Sequence, residues 1–191
     1  SDLLAAARSS CQGQAGIIAI LGTGSHSCVS DGHQITESKP SLGFLLGDEG
    51  SGNSYGKKIL RSYFYGELDE ALKNEFETVF PFVREEYLSR LYSSPQISKE
   101  LAQFFPFLIE HKKNKYVQSI IVQGVNEFYN SRLEQYEKNT ALPIHLAGSV
   151  ALALKEEYTD LLTYKGYREI KFNPKPMEGL LKYHLHYANN S

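Results

Sequence analysis

A chain of 191 residues has room for one domain with a substantial core and little room for two. Its 41% hydrophobic and 22% charged residues fall in the ordinary globular range, and no apolar run approaches the roughly 18 to 20 residues that cross a bilayer, which argues against disorder and against a membrane-spanning helix. The formal net charge of −2 supplies no broad basic field, so a small ligand is expected as the partner rather than nucleic acid.

In chain order, Asp2 is placed to cap a helix over Leu3 to Ser10, its carboxylate accepting from the first free N–H groups. There is no initiator Met and the one Met is Met177, so the first residues read as the middle of a larger protein, while two cysteines, Cys11 and Cys28, without CxxC spacing argue against a disulfide framework and fit a reducing cytoplasm. The turn at Gln12 to Gly16 leads into Ile17-Ile18-Ala19-Ile20-Leu21, apolar on both faces as in a strand covered on both sides. A tight turn, Gly22-Thr23-Gly24-Ser25, separates it from a strand over His26 to Ser30. Asp31-Gly32 then predicts a hairpin, with Gln34 to Ser38 returning as a third strand.

Beyond Pro40 a glycine-crowded segment opens a helix predicted from about Ser51 to Tyr65. From Glu67 to Lys138 the pattern is almost wholly helical. Leu68, Leu72, Phe76 and Val79 repeat at spacings of three and four, and Val117, Ile120, Ile121, Gly124, Val125 and Phe128 continue that spacing in a longer helix. The aromatic share of 12% is largely spent here, as core. The run His111 to Lys115 reads as solvated helix ends. Pro143 to Ala147 returns as a strand, Val150 to Leu162 as helix, Tyr167 to Phe172 as strand and Met177 to Tyr187 as a closing helix. Strands separated by helices predict an α/β layer fold with a mixed sheet, antiparallel at its start and parallel late.

Three clusters carry candidate chemistry. Gly22-Thr23-Gly24-Ser25 follows the most strand-like run, and the exposed N–H groups of such a turn, with two hydroxyls beside them, suit an anion; a plain strand-linking turn fits equally. It is not a Walker A motif, since no GK[ST] follows and the next element is a strand. Gly47-Asp48-Glu49-Gly50-Ser51-Gly52 sets two carboxylates among glycines at a helix start, as a cap or as a ligand-facing loop. Leu146-Ala147-Gly148-Ser149 is a small-residue turn that either admits a flat group or packs helix closely on strand.

These clusters at their mutual spacing resemble the N-acetylglucosamine kinases and the BadF/BadG-type ATPases of the actin-like sugar kinase superfamily, over nearly the whole chain. The resemblance implies an RNase H-like lobe with a helical segment at about 67–138, the C-terminal half of a two-lobed enzyme. It further implies an amino-sugar substrate, with ATP and Mg²⁺ held in the cleft between lobes. Carried over by residue, Asp2 would be the catalytic base. Gly22, Thr23, Gly24 and Ser25 would bind ATP phosphates, Gly43 and Asp48 the sugar, and Ala147, Gly148 and Ser149 the adenosine. No metal ligand is assigned in this chain. The family's first phosphate loop is expected in an N-terminal lobe, and a homodimer is compatible with the family.

One departure bears on substrate. Where family kinases carry Gly-Gly-Trp-Gly before the acidic segment, this chain has Pro40-Ser41-Leu42-Gly43, so another hexose, amino sugar or muramic-type sugar is open. Two other function classes stay in play. A BadF-type ATPase activator would need cluster-ligating thiolates, whereas Cys11 and Cys28 lack the paired context and suit apolar packing. A non-catalytic sugar or nucleotide sensor would keep the fold without turnover. The six histidines, His145 among them, read as surface or packing residues.

Overall fold

The computed structural model describes residues 2–174, together with Leu180, Leu181, Tyr183 and Leu185. The expected closing helix from Met177 to Tyr187 lies largely outside the described residues.

The chain opens with helix α1 (Asp2–Cys11) and three strands, β1 (Gly16–Leu21), β2 (Ser25–Ser30) and β3 (Ile35–Ser38). The Asp31 carboxylate closes the hairpin by accepting from the His33 and Gln34 N–H groups, both at 2.9 Å. A short helix α2 (Gly43–Leu46) precedes α3 (Gly52–Phe64), and α4 (Glu70–Val79), α5 (Arg84–Ser93), α6 (Ile97–Ala102), α7 (Phe105–Glu110) and α8 (Lys115–Phe128) follow. A π-helical turn (Tyr129–Leu133) and a 3₁₀ segment (Glu134–Asn139) lead to β4 (Ile144–Ala147), α9 (Ser149–Ala153), α10 (Lys155–Tyr164) and β5 (Ile170–Asn173).

The sheet runs in the order β3-β2-β1-β4-β5. β1 pairs antiparallel with β2, Leu21 opposite Ser25, and parallel with β4, Ala19 opposite Leu146; β4 and β5 are parallel as well. The mixed sheet predicted from the pattern is what forms. β1 sits in the middle because both its faces are apolar, and alternation sends them to different layers. Ile17, Ala19 and Leu21 face the helical layer, whereas Ile18 joins Ala7, Cys11 and Cys28 beneath α1. Both cysteines are free and buried, and burial pushes their thiols up to about 11 for Cys11 and about 12 for Cys28.

The helical layer has its own aromatic centre. Phe76, with no exposed surface, lies 5.7 Å between ring centroids from Phe104 and 5.1 Å from Phe107. Two helix starts in this layer are capped by side chains that also meet. Asp69 accepts from Leu72 N–H at the start of α4, Asn114 accepts from Tyr116 and Val117 at the start of α8, and Asn114 Nδ2 donates to Asp69 Oδ2 at 2.9 Å. Within the basic run at the start of α8, Lys112 pairs with Glu157 at 2.8 Å, while Lys113 and Lys115 are exposed as expected of solvated helix ends. This antiparallel-then-parallel sheet with a helical insertion is an RNase H-like lobe of the actin-like type. Among the described residues no helix is long and apolar enough to cross a membrane.

Two elements differ from expectation. The predicted Val150 to Leu162 helix breaks at Leu154 (φ −108°, ψ 31°), which lets α9 cover β1 and β4 while α10 turns onto α8 and β5. The last strand starts at Ile170 rather than Tyr167, because Tyr167 is still closing α10, its N–H donating to Leu162 O at 3.0 Å.

His145, on the α1 face of β4, has its imidazole pKa depressed to about 4, by burial first and by the Lys171 charge second, with Glu169 partly offsetting. An unfolded histidine titrates near 6.5, so the unfolded chain binds the proton more readily and burial of neutral His145 favours folding fully above that pH. This contribution, no more than about 3 kcal/mol, is lost as pH falls from about 6.5 toward 4. Urea unfolding midpoints measured across that window should fall with pH, and His145→Leu should flatten the slope.

Candidate functional site

The site begins where β1 turns into β2. At the tip of that turn Gly22 N–H donates to Gly24 O at 3.0 Å, and the carbonyls of Gly22 and Thr23 point inward to the start of α3. Gly22 O accepts from Gly52 N–H at 2.7 Å, and Thr23 O accepts from the Asn53 N–H at 3.1 Å and from Asn53 Nδ2 at 2.8 Å. The first turn of a helix has N–H groups without intrahelical partners, and here the glycine turn supplies their acceptors. Turning the carbonyls inward leaves the Thr23 and Gly24 N–H groups with no acceptor among the described residues. Two successive backbone donors without a protein acceptor are groups that an anion could satisfy.

The acidic loop is stitched to the same turn. Asp48 takes φ +60°, a left-handed conformation that Asp tolerates better than most residues, and is buried. Its Oδ1 accepts from Ser25 N–H at 3.2 Å and its Oδ2 from Asn53 Nδ2 at 3.0 Å. Ser25 Oγ donates to Glu49 O at 2.7 Å, so the strand start grips both acidic residues. The Asn53 amide can serve its two acceptors only with Nδ2 toward them, and its buried Oδ1 is left without a donor among the described residues. Gly43 is exposed at the start of α2, and its carbonyl takes that helix's closing bond from Gly47 N–H at 2.9 Å, just before the acidic loop.

The third cluster meets the first at the ends of β1 and β4. Gly148 has φ +103°, and a Cβ there would fall 2.2 Å from Leu21 O, so only glycine allows the two strand ends this close. Ala147 is buried at the end of β4, while Ser149 starts α9 and lines a cleft of about 450 Å³. Gly22, Thr23 and Gly52 line this cleft together with apolar side chains of α7 and α9, Phe105, Ile109, Val150 and Ala153. Its one charged group is Glu110, at the end of α7. A larger groove, about 630 Å³ between α3 and α5, is walled by Leu60, Phe64, Leu88 and Leu91 and has no part of the glycine turn. Of these two, only the smaller cleft is lined by residues of the glycine turn, Gly22 and Thr23.

The structure thus brings Gly22, Thr23, Gly24, Ser25 and Asp48 into one hydrogen-bonded cluster, with Ser149 lining the same cleft as Gly22 and Thr23, whereas Gly43 sits apart at the exposed start of α2. Asp2 begins α1, and its side chain lies outside the described residues. Sequence reasoning did not name Asn53, Arg132 or the α7 wall. Asn53 carried a weak signal, as a polar residue one place inside a glycine-rich helix start; Arg132, distant in sequence, carried none.

A solved structure of a candidate N-acetylglucosamine kinase from Porphyromonas gingivalis superposes on the chain with a TM-score of 0.92 at 33% sequence identity, over 98% of this chain and 66% of that one. The two proteins are homologues. A second candidate N-acetylglucosamine kinase, from Chromobacterium violaceum, matches with a TM-score of 0.75 at 16% identity over 96% of this chain and 64% of that one, which shows the shared fold. This homologue of the Porphyromonas protein therefore spans just under two thirds of both solved chains. No protein-family model and no curated protein matches it.

Asn53→Ala would remove the donor shared by Thr23 O and Asp48 Oδ2 and leave a buried carboxylate oxygen unpaired. A loss of about 1–3 kcal/mol in urea unfolding is expected, against less than about 0.5 kcal/mol for the exposed Asn126→Ala.

Proposed function

We propose that this chain is the C-terminal, nucleotide-binding lobe of an ATP-dependent sugar kinase acting on an N-acetylglucosamine-like amino sugar. The observation that carries the proposal is the pair of donors at the glycine turn, Thr23 and Gly24 N–H, which find no acceptor among the described residues, beside an apolar cleft that Gly22 and Thr23 line and whose single charged lining residue, Glu110, belongs to the end of α7. An anionic tail gains from those donors and is repelled by Glu110, so the phosphates belong at the glycine turn and the adenosine between α7 and α9, against Ser149.

In this proposal Asp48 is the sugar-facing carboxylate, its orientation set by Ser25 and Asn53 and its remaining lone pairs turned to sugar hydroxyls. A hydroxyl oxygen of the sugar attacks the γ-phosphorus, its proton passes to the Asp2 carboxylate, and ADP leaves as the bond to its β-phosphate oxygen breaks. Mg²⁺, when bound, neutralises charge on the phosphates. The described residues contain no group of three or more His, Cys, Asp or Glu side chains able to hold a metal. Its protein ligands and the first phosphate loop are assigned to an N-terminal lobe of the same protein, and cytoplasmic residence and a homodimer complete the proposal.

An electron-transfer activator is disfavoured by the burial of Cys11 and Cys28, whose thiols are pushed away from the thiolate form. The Pro40 to Gly43 segment favours one further reading, a sugar or nucleotide sensor without turnover.

ADP release by the intact protein, assayed over a panel of hexoses and amino sugars, separates these readings. Sugar-dependent release is expected. Asp2→Asn should lower kcat by about 10²–10⁴-fold with little change in ATP affinity, and Ala153→Trp should weaken ATP binding by at least about tenfold, or 1.4 kcal/mol. Release with none of the sugars would sink the kinase proposal and leave the sensor.

A further inference from the structure

Arg132 is buried to 3% exposure in the π-helical turn after α8, and its guanidinium serves the acidic loop from behind. Nε donates to Glu49 Oε2 at 3.2 Å and Nη1 to Pro40 O at 3.0 Å. Nη2 lies over Gly47, where an added Cβ would meet it at 2.9 Å and the Leu42 Cβ at 3.2 Å. One side chain therefore touches the chain at residues 40, 47 and 49, and these points bracket both Gly43 and Asp48.

The arginine itself is held from the opposite side. Its carbonyl accepts from Ser27 Oγ at 2.8 Å, which ties the π-helical turn to the strand that starts at Ser25. Ser25 in turn donates to Asp48 Oδ1 and Glu49 O. β2, the acidic loop and the π-helical turn thus form a closed ring of polar contacts inside the protein. Single-turn π segments are frequent at functional sites, where they re-aim one side chain out of a helical register.

We infer that Arg132 is the positioning residue of the sugar subsite, setting the Asp48 carboxylate and the Pro40 to Gly43 segment through Glu49 and Pro40. The inference rests on the sugar-kinase proposal and goes beyond it by naming what fixes substrate recognition. Arginine is required because its planar fork reaches a carboxylate and a carbonyl in different directions, whereas lysine offers one compact charge. In this chain the Pro40 to Gly43 segment, which departs from the family's glycine and tryptophan pattern, is anchored by the arginine at its first carbonyl.

The test compares wild type, Arg132→Gln, Arg132→Lys, Glu49→Gln and the Glu49→Gln/Arg132→Gln double variant in the intact protein. Arg132→Gln should raise the sugar KM by about tenfold or more while the ATP KM stays within about twofold, Arg132→Lys should fall between, and the double variant should be no worse than the worse single one. Hydrogen exchange supplies a readout that needs no turnover. Amides of residues 47–51 should exchange faster in Arg132→Gln, in part restored by lysine, with protection in α4 and α7 unchanged. An unchanged sugar KM in an active enzyme, an equal rise in both KM values, or exchange that is unaltered at 47–51 or accelerated throughout the helices overturns the inference. A wild type that turns over no sugar defeats the kinase proposal instead, and the exchange pattern still decides the role of Arg132.

Discussion

The contact on which the site depends is the one between the carbonyls of Gly22 and Thr23 and the first N–H groups of α3, Gly52 at 2.7 Å and Asn53 at 3.1 Å. It resolves two problems together. The helix start needs acceptors in a buried place, and the turn between β1 and β2 has carbonyls to offer. With those carbonyls committed inward, the Thr23 and Gly24 N–H groups are left without an acceptor among the described residues. The two donors on which the proposed phosphate site rests are therefore a consequence of how the helical layer is docked to the sheet.

The remaining polar groups of the interior follow the same logic. A buried charge is tolerated only when its lone pairs and protons are matched, and removing one partner of such a pair costs several kcal/mol. Asp48 has Ser25 and Asn53, Arg132 has Glu49 and Pro40, and Ser27 joins them to β2. Such a ring resists small displacements of any one member. A loop that must hold a carboxylate steady beside a substrate gains from it, since rigid support of the contacting groups is what orients reactants.

Much of the architecture was legible in the sequence because it follows from local pattern. The doubly apolar Ile17 to Leu21 run placed β1 at the centre, Asp31-Gly32 placed the hairpin, and the three-and-four spacing of Leu72, Phe76, Ile120 and Ile121 placed the helical layer. The break at Leu154 was not legible, since no glycine or proline marks it and its cause is the different surfaces that α9 and α10 cover. At the site the glycine turns were visible as composition, and their resemblance to sugar kinases was visible as spacing. The Arg132 to Glu49 pair spans 83 positions and the α7 wall of the cleft is set by packing, so neither left a local trace. Ser149 illustrates the middle ground: the motif was visible, but only the fold separates it from Ala147 and Gly148, which meet the end of β1.

In the proposed site the Thr23 and Gly24 N–H groups of the glycine turn receive phosphate while the α7–α9 cleft receives the nucleoside. Amide and methyl NMR spectra of the intact protein, titrated with ADP and separately with adenosine, test it most directly. Both ligands should shift the methyl signals of Ile109, Val150 and Ala153, and only ADP should shift the Thr23 and Gly24 amides. Equal amide shifts with both ligands, or ADP binding that leaves Thr23 and Gly24 unmoved, would contradict it.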